Sequence, residues 1–289
     1  MQIKQAQHYQ LSVPQTVNDL EQALFASYPR SDMEKWDSCG LIVGDRSTAI
    51  SSIAIALDFT PVTVQAAINA NCNVLVTHHP AYIGQGPKEL GPANQATTRG
   101  CGQALFEAAQ KGLAVINMHT NLDRSIAARE YFADLLKCNC KSNFEYLLDH
   151  KRSASASGFG AILDLPAPTT LSQLASICDD ALNGHARIWG DPSSKLFRTC
   201  AYLNGSWRDI DAYMAAISAN IDCVIVGETS YHTALDVCDA LNVIEIGHDV
   251  SEFPLTQVLF NELSSYGYNE KTQLHIIGAE KPNWWQVQR

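Results

Sequence analysis

Short apolar runs alternate with longer runs of helical period along most of this chain, and that alternation predicts an α/β fold. "SSIAIALD" (51–58) reads as a strand, "TPVTVQAAINAN" (60–71) as a helix capped by Thr60 with Pro61 in its first turn, and "CNVLVT" (72–77) as the next strand. A helix over 97–112 ending at Gly112, a strand at 113–118, a helix over 227–242, a strand at 243–247 and a helix over 251–267, interrupted early by Pro254, continue the pattern. Units of this kind form a mostly parallel sheet with flanking helices on both faces.

Between these blocks, "DHKRSASASG" (149–158) precedes a strand at 158–166, a helix at 170–184, a strand at 197–205, a helix at 209–220 and a strand at 221–227. The Ser/Ala/Gly-rich stretch reads as a linker, so the sequence predicts a second α/β subdomain over 155–221. The first subdomain would then comprise 16–152 with 222–289, and residues 1–15 an N-terminal extension.

Three predicted strands end in polar clusters of metal-ligand type. "VLVTHH" offers His78 and His79, "LAVINMHTNLD" offers His119 and Asp123, and "NVIEIGHDVSE" offers His248 and Glu252. In open parallel sheets ligands bind outside the carboxyl ends of the strands, which is where all three clusters fall. Neighbouring side chains on an extended strand point to opposite faces, but Pro80 ends the ladder and lets both histidines of the pair face one cavity. His119/Asp123 and His248/Glu252 share an i, i+4 spacing, which in a helical turn places both side chains on one face. Four imidazoles and two carboxylates suit zinc, iron, manganese, cobalt or nickel. Six ligands exceed what one catalytic ion normally takes, so two divalent metal ions per chain are expected. The plainer account of any single cluster is a turn, with Asp123 as a helix cap and Glu252 on a solvated helix face; three clusters together favour a site. Glu228 and His232, again four apart, are candidates for proton transfer, against the alternative of a glutamate favoured by a helix N-terminus. "GFGAIL" lacks the third glycine and the strand-to-helix setting of a dinucleotide loop, and no P-loop motif occurs.

Composition narrows the classes. With 289 residues, 46% hydrophobic and 17% charged, the chain can bury a large core. Twenty basic against thirty acidic residues give a net charge of −10, which argues against non-specific binding to nucleic acid or anionic membranes. The first fifteen residues have no apolar core of signal-peptide length and no run approaches a membrane span, so a cytoplasmic protein is expected. Nine cysteines without a C-x-x-C pair read as reduced thiols, mostly small core residues; the Cys138/Cys140 spacing is weak evidence for a metal site.

"WDSCGLIVGD" (36–45), "ALDFTP" (56–61), "VLVTHHP", "NMHTNLD", "GFGAILDLP", "VIVGETSYHTALD" and "GHDVSE", in this order, resemble the type 2 GTP cyclohydrolase I family, also called Nif-three-like. Ser38-Cys39 departs from the Asn-Val or similar pair common in that family, and the chain is too short for the large extra domain of some members. The resemblance implies a two-subdomain Nif-three-like α/β fold with a dinuclear metal site supplied by His78, His79, His119, Asp123, His248 and Glu252, commonly in a ring-shaped homohexamer. It further implies a metal-dependent hydrolase that opens the purine ring of GTP with release of formate, acting on a small-molecule nucleotide substrate. Two alternatives stay open: a dinuclear hydrolase of a phosphoester or modified nucleotide, and a non-enzymatic metal-binding assembly or regulatory protein with a protein partner.

Overall fold

The computed structural model describes residues 13–92, 100–191 and 196–278, so the expected extension at 1–15 lies almost wholly outside the described residues. Helix α1 (Val17–Ser27) opens on a reciprocal cap: the Thr16 hydroxyl accepts from the Asp19 amide while the Asp19 carboxylate accepts from the Thr16 amide. After β1 (Gly40–Val43) and β2 (Ile53–Ala56), α2 (Pro61–Asn69) starts with the predicted Thr60 cap and Pro61 in its first turn. Then come β3 (Val74–Thr77), α3 (Cys101–Lys111), closed by Gly112 in the left-handed region, and β4 (Ala114–Asn117). Two helices follow, the single turn α4 (Thr120–Asp123) and the longer α5 (Ile126–Leu135). The second half runs β5 (Asn139–Asn143), β6 (Ala161–Thr169), α6 (Leu171–Leu182), β7 (Arg187–Trp189), β8 (Phe197–Ser206), α7 (Ile210–Ser218) and β9 (Cys223–Glu228). It ends with α8 (Tyr231–Val237), β10 (Asn242–Glu245), α9 (His248–Glu252), α10 (Pro254–Ser265) and β11 (Leu274–Ile276).

Two sheets result. The first has the order β1-β4-β3-β2-β11, parallel except for the β1–β4 pair. The second has the order β5-β6-β8-β9-β10-β7, with β8, β9 and β10 parallel and antiparallel pairs at β5–β6, β6–β8 and β10–β7. The buried strands of the first sheet, "IAIA", "VLVT" and "AVIN", carry no polar alternation because both faces are covered. One cluster, with Ala54, Leu75, Val115, Val64 and Ala108, packs α2 and α3 on its outer face. A second, with Leu203, Val224, Val226, Ala212 and Tyr213, does the same for the second sheet and α7. The largest cluster joins residues of both sheets, Ile53, Ile55, Val76, Tyr202, Cys223 and Ile244, with α1, α5, α6 and α10.

The boundaries expected at 155 and 221 do not coincide with the sheets. β5 precedes that segment and β9 and β10 follow it, yet all belong to the six-stranded sheet. Nor is 153–158 a free linker. The Asn143 side-chain amide donates to the carbonyls of Ser153, Ala154 and Ala156, and the Arg129 guanidinium binds those of Ser155 and Ala156. Small residues there let the backbone lie against a buried polar anchor, which composition alone reads as a linker. Likewise, the helix predicted over 227–242 begins only at Tyr231, because the Ser230 hydroxyl caps it and Glu228 still belongs to β9. The helix predicted over 251–267 is two, α9 and α10, with Pro254 opening the second.

Candidate metal centre

The carboxyl ends of the parallel strands from both sheets meet, and the polar clusters lie where they meet. β3 ends at Thr77, but the ladder persists for two residues more: the His78 and His79 amides donate to the carbonyls of Ala56 and Leu57 at 3.1 and 2.8 Å. The chain turns only afterwards. Both rings still reach the same cavity, with centroids 4.9 Å apart. Beyond β4, His119 caps α4, and its carbonyl accepts from the Asp123 amide at 3.0 Å, so the pair shares one face of a single turn. Beyond β10, Gly247 (φ 102°) turns the chain into α9, which begins at His248 and ends at Glu252.

Ligand-type atoms converge in three overlapping groups, each within 4.8 Å: His78/His79/His119, His79/His248/Glu252 and His78/Asp123/Glu252. All six sequence candidates are therefore together. His78, His119, Asp123 and Glu252 are buried, whereas His248 is 37% exposed and His79 lies between. Asp123 and Glu252 are thus neither an exposed cap nor a solvated helix face. Glu252 is wedged among imidazoles, its Oε2 2.8 Å from His79 Nε2 and 3.0 Å from His248 Nε2. The Asn204 amide, on β8, donates to Asp123 Oδ1 at 2.7 Å.

His78 Nε2 decides what this cluster fits. It is buried without a hydrogen-bond partner, while Asp123 Oδ1 and Glu252 Oε1 stand 3.5 and 3.8 Å away. These separations exceed a hydrogen bond. They approach the spacing of about 3.3 Å between two ligands of one tetrahedral ion with bonds near 2.0–2.1 Å. An orphaned buried nitrogen is costly unless something occupies the space it faces, and a cation shared with the two carboxylates satisfies all three groups. The residues present therefore fit a divalent metal.

The electrostatics agree. Burial disfavours a charged His79 ring, but Glu252 and Asp58 outweigh it and lift its pKa to about 10. The hydrogen bond to Glu252 raises His248 to about 8 against its burial. Burial opposes ionisation of Glu252, yet His79 and His248 hold its carboxyl well below the usual range. Burial pushes the Asp123 carboxyl up. A field that retains protons on imidazoles at neutral pH also attracts a cation in their place.

Several groups at the site carried no role in the sequence reading. Asp37 accepts from His119 Nδ1 at 2.9 Å and from the Thr120 amide at 3.0 Å, and Asp58 lies 2.7 Å from His79 Nδ1. Asp58 lies two residues beyond the end of β2, so the strand-end rule that found the histidines could have found it. Asp37 sits in a loop ahead of β1, where no periodicity points to it. The Cys39 thiol accepts from the His119 amide at 3.3 Å and is pushed up to about 12 by burial and by Asp37, which leaves it a neutral thiol. Trp36, 53% exposed, lies edge-on to His119 with centroids 5.9 Å apart. Glu228 Oε1 is 3.4 Å from His248 Nδ1 and accepts from the exposed Arg208 guanidinium at 3.0 Å. His232, the other sequence candidate for proton transfer, is exposed, its ring edge-on to Tyr231 with centroids 5.4 Å apart. All nine cysteines are free thiols, and Cys200 and Cys223 belong to the central core.

Fold and site together define an α/β protein of two sheets with a His/Asp/Glu centre, fit for a metal, at their shared carboxyl edge. The chain belongs to the Duf34/NIF3 (NGG1p interacting factor 3) family, whose model matches residues 15–283. It is 28% identical to a "GTP cyclohydrolase 1 type 2 homolog" from Clostridium acetobutylicum over 92% of this chain and 93% of that protein. It is 27% identical to a "GTP cyclohydrolase 1 type 2" from Helicobacter pylori, over 90% of this chain and 99% of that protein. A Bacillus cereus protein related to NIF3 superposes with a TM-score of 0.80 at 18% identity, covering 96% of this chain and all of that one. A hypothetical protein from Staphylococcus aureus does so with 0.79 at 22%, covering 95% and all of that chain. These structural likenesses bear on the fold alone, and they support the α/β architecture read from the sequence.

Proposed function

We propose that the six-residue centre holds two divalent metal ions and that the protein is a metal-dependent hydrolase acting on a nucleotide, with GTP the substrate its relatives' names supply. The observation that carries this reading is the unpaired His78 Nε2 facing the Asp123 and Glu252 carboxylates inside a cluster open on its His79/His248 side. When bound, the ions would supply an acidified water and neutralise developing negative charge. His78, His119, Asp123 and Glu252 would form the buried part of the ligand set; His79 and His248, with Glu252, would form the open part. An opening on one side favours catalysis over a purely structural site, whose ligands close the coordination sphere.

The chain's own residues suggest how a substrate is met. The exposed Trp36 indole offers a face for a planar base. Arg208, exposed beside Glu228, offers a cation for an anionic group. Glu228 would accept a proton at Oε1, 3.4 Å from His248 Nδ1, and His232 is the other candidate for proton transfer. For GTP the reaction would be hydrolytic opening of the imidazole ring of guanine, with C8 leaving as formate. The reading extends to a homo-oligomer, hexameric by resemblance, in the cytoplasm. Among the described residues no helix is long and apolar enough to cross a membrane.

Formate release from GTP, measured on protein of known metal content, tests the proposal. Turnover that disappears on chelation and returns with added metal is expected. Metal-loaded protein that releases no formate would exclude GTP ring opening and leave hydrolysis of a phosphoester or modified nucleotide, or an assembly role.

A further inference from the structure

The six candidate ligands do not stand alone. Each of the four imidazoles has its Nδ1 beside an oxygen outside the ligand set. His78 Nδ1 is 3.0 Å from the Met118 carbonyl, His119 Nδ1 2.9 Å from Asp37 Oδ1, His79 Nδ1 2.7 Å from Asp58 Oδ1, and His248 Nδ1 3.4 Å from Glu228 Oε1. Four rings on three separate loops share one polarity, with Nδ1 outward.

A carboxylate or carbonyl beside Nδ1 fixes the proton there, which leaves the Nε2 lone pair for whatever fills the centre. The Nε2 atoms do converge: those of His79 and His248 contact the same Glu252 oxygen, and that of His78 faces Asp123 and Glu252. We infer that Asp37, Asp58 and Glu228 are positioning residues, Asp37 and Asp58 by hydrogen bonds that set the tautomer and ring orientation of His119 and His79, and Glu228 by its charge 3.4 Å from His248 Nδ1, so that each Nε2 is presented to the metal. This inference rests on the metal reading above.

The three are built differently. The Asp37 side chain is wholly buried and is itself held by the Ser38 amide at 2.7 Å, the Thr120 amide at 3.0 Å and the Thr120 hydroxyl at 2.5 Å, which restrains the ring it accepts from. Asp58 is 48% exposed and adjoins the end of β2, where the parallel β2–β3 pairing brings it beside His79. Glu228 closes β9 and is anchored in turn by Arg208. The sheet ends thus deliver the orienting carboxylates by the same topology that delivers the ligands. A carboxylate behind the ring also makes it a stronger donor, so loss of the charge weakens metal binding even where the hydrogen bond survives.

The test uses full-length protein and zinc as the probe. Zinc affinity is measured by competition with a chelator for wild type, Asp58→Asn, Asp58→Glu, Glu228→Gln and Asp37→Asn. Ring-nitrogen NMR on the zinc-loaded protein assigns which nitrogen of each histidine carries the proton. Expected are Nδ1–H with Nε2 on zinc for His79, His119 and His248, about 10- to 100-fold weaker zinc binding in Asp58→Asn and Glu228→Gln, and partial recovery in Asp58→Glu. Asp37→Asn is expected to be at least as severe, and if it fails to fold the other two variants carry the test. Wild type that binds zinc, with both exposed-side variants within about twofold of it, overturns the positioning roles and leaves the metal centre intact. Coordination through Nδ1 does the same. Wild type that takes up no zinc overturns both.

Discussion

Gly205 gives the sharpest quantitative expectation. It lies near the end of β8 at φ +72°, with its amide donating to the Ser251 hydroxyl at 2.9 Å. A Cβ added there would stand 2.3 Å from Glu252 Oε1, 3.3 Å from its Cδ and 3.7 Å from His248 Nε2. Ordinary contact begins near 3.4 Å, so the Glu252 carboxylate must retreat by about 1 Å. Metal–ligand distances tolerate only about 0.2 Å, so a retreat of that size removes Glu252 as a ligand. Gly205→Ala should then weaken divalent-metal binding on the order of 100-fold, about 2.7 kcal/mol. It also carries the cost of a left-handed alanine, about 1–2 kcal/mol. Gly112→Ala separates the two effects. Gly112 is also left-handed, at φ +67°, but a Cβ there meets nothing within 4 Å, so only the backbone cost applies. Chelator competition and thermal melting on both variants form the assay. The same drop in melting temperature is expected for the backbone term in each, with a loss of affinity in Gly205→Ala alone. Equal metal affinity in the two variants would refute the placement of Glu252 as a ligand against Gly205.

Three further outcomes follow from the same geometry. His79, lifted to about 10, stabilises the metal-free fold fully below its unfolded value near 6.5 and progressively less as pH rises through 10. Melting temperatures of metal-free protein should fall between about pH 6.5 and 10, those of zinc-loaded protein should fall less, and a flat metal-free profile would contradict the raised His79. Asp123→Asn removes a buried carboxylate whose ionisation burial disfavours, so metal-free stability should hold or rise while metal affinity drops; parallel losses would count against a ligand role. Arg124 is buried, ion-paired with Glu34 and Glu145 and bonded to the Asp32 carbonyl, so Arg124→Met leaves Glu145 without that partner. Glu145 keeps the Arg152 guanidinium at 3.4 Å and the Phe159 amide at 2.9 Å, so denaturant unfolding should show a loss of about 1–3 kcal/mol with metal affinity unchanged.

Much of the site was legible because its chemistry sits at strand ends. His78, His79, His119, Asp123, His248 and Glu252 were found by pairing apolar runs with the rule that ligands bind at carboxyl ends, and the structure brings all six together. Asp37 and Asp58 were not assigned, since an aspartate in a loop carries no periodic signal and its meaning depends on which ring the fold brings to it. The extent of the two sheets escaped for a related reason. β5, β7 and β11 are short and polar or mixed in sequence, and their strand character comes from neighbours distant along the chain, as when Leu274–Ile276 pairs with Ile53–Ile55. The apparent linker at 153–158 shows the same limit. Its small residues are there to be gripped by Asn143 and Arg129, which no local pattern reveals.

The claim on which the rest depends is that these six side chains bind metal. Crystals of untagged protein soaked in a zinc salt, with diffraction measured on both sides of the zinc absorption edge, test it most directly. Anomalous peaks within about 2.0–2.2 Å of His78 Nε2, Asp123 and Glu252 oxygens, with a second peak on the His79/His248 side, are the predicted result. Ordered density for all six side chains with no anomalous peak among them would contradict the account.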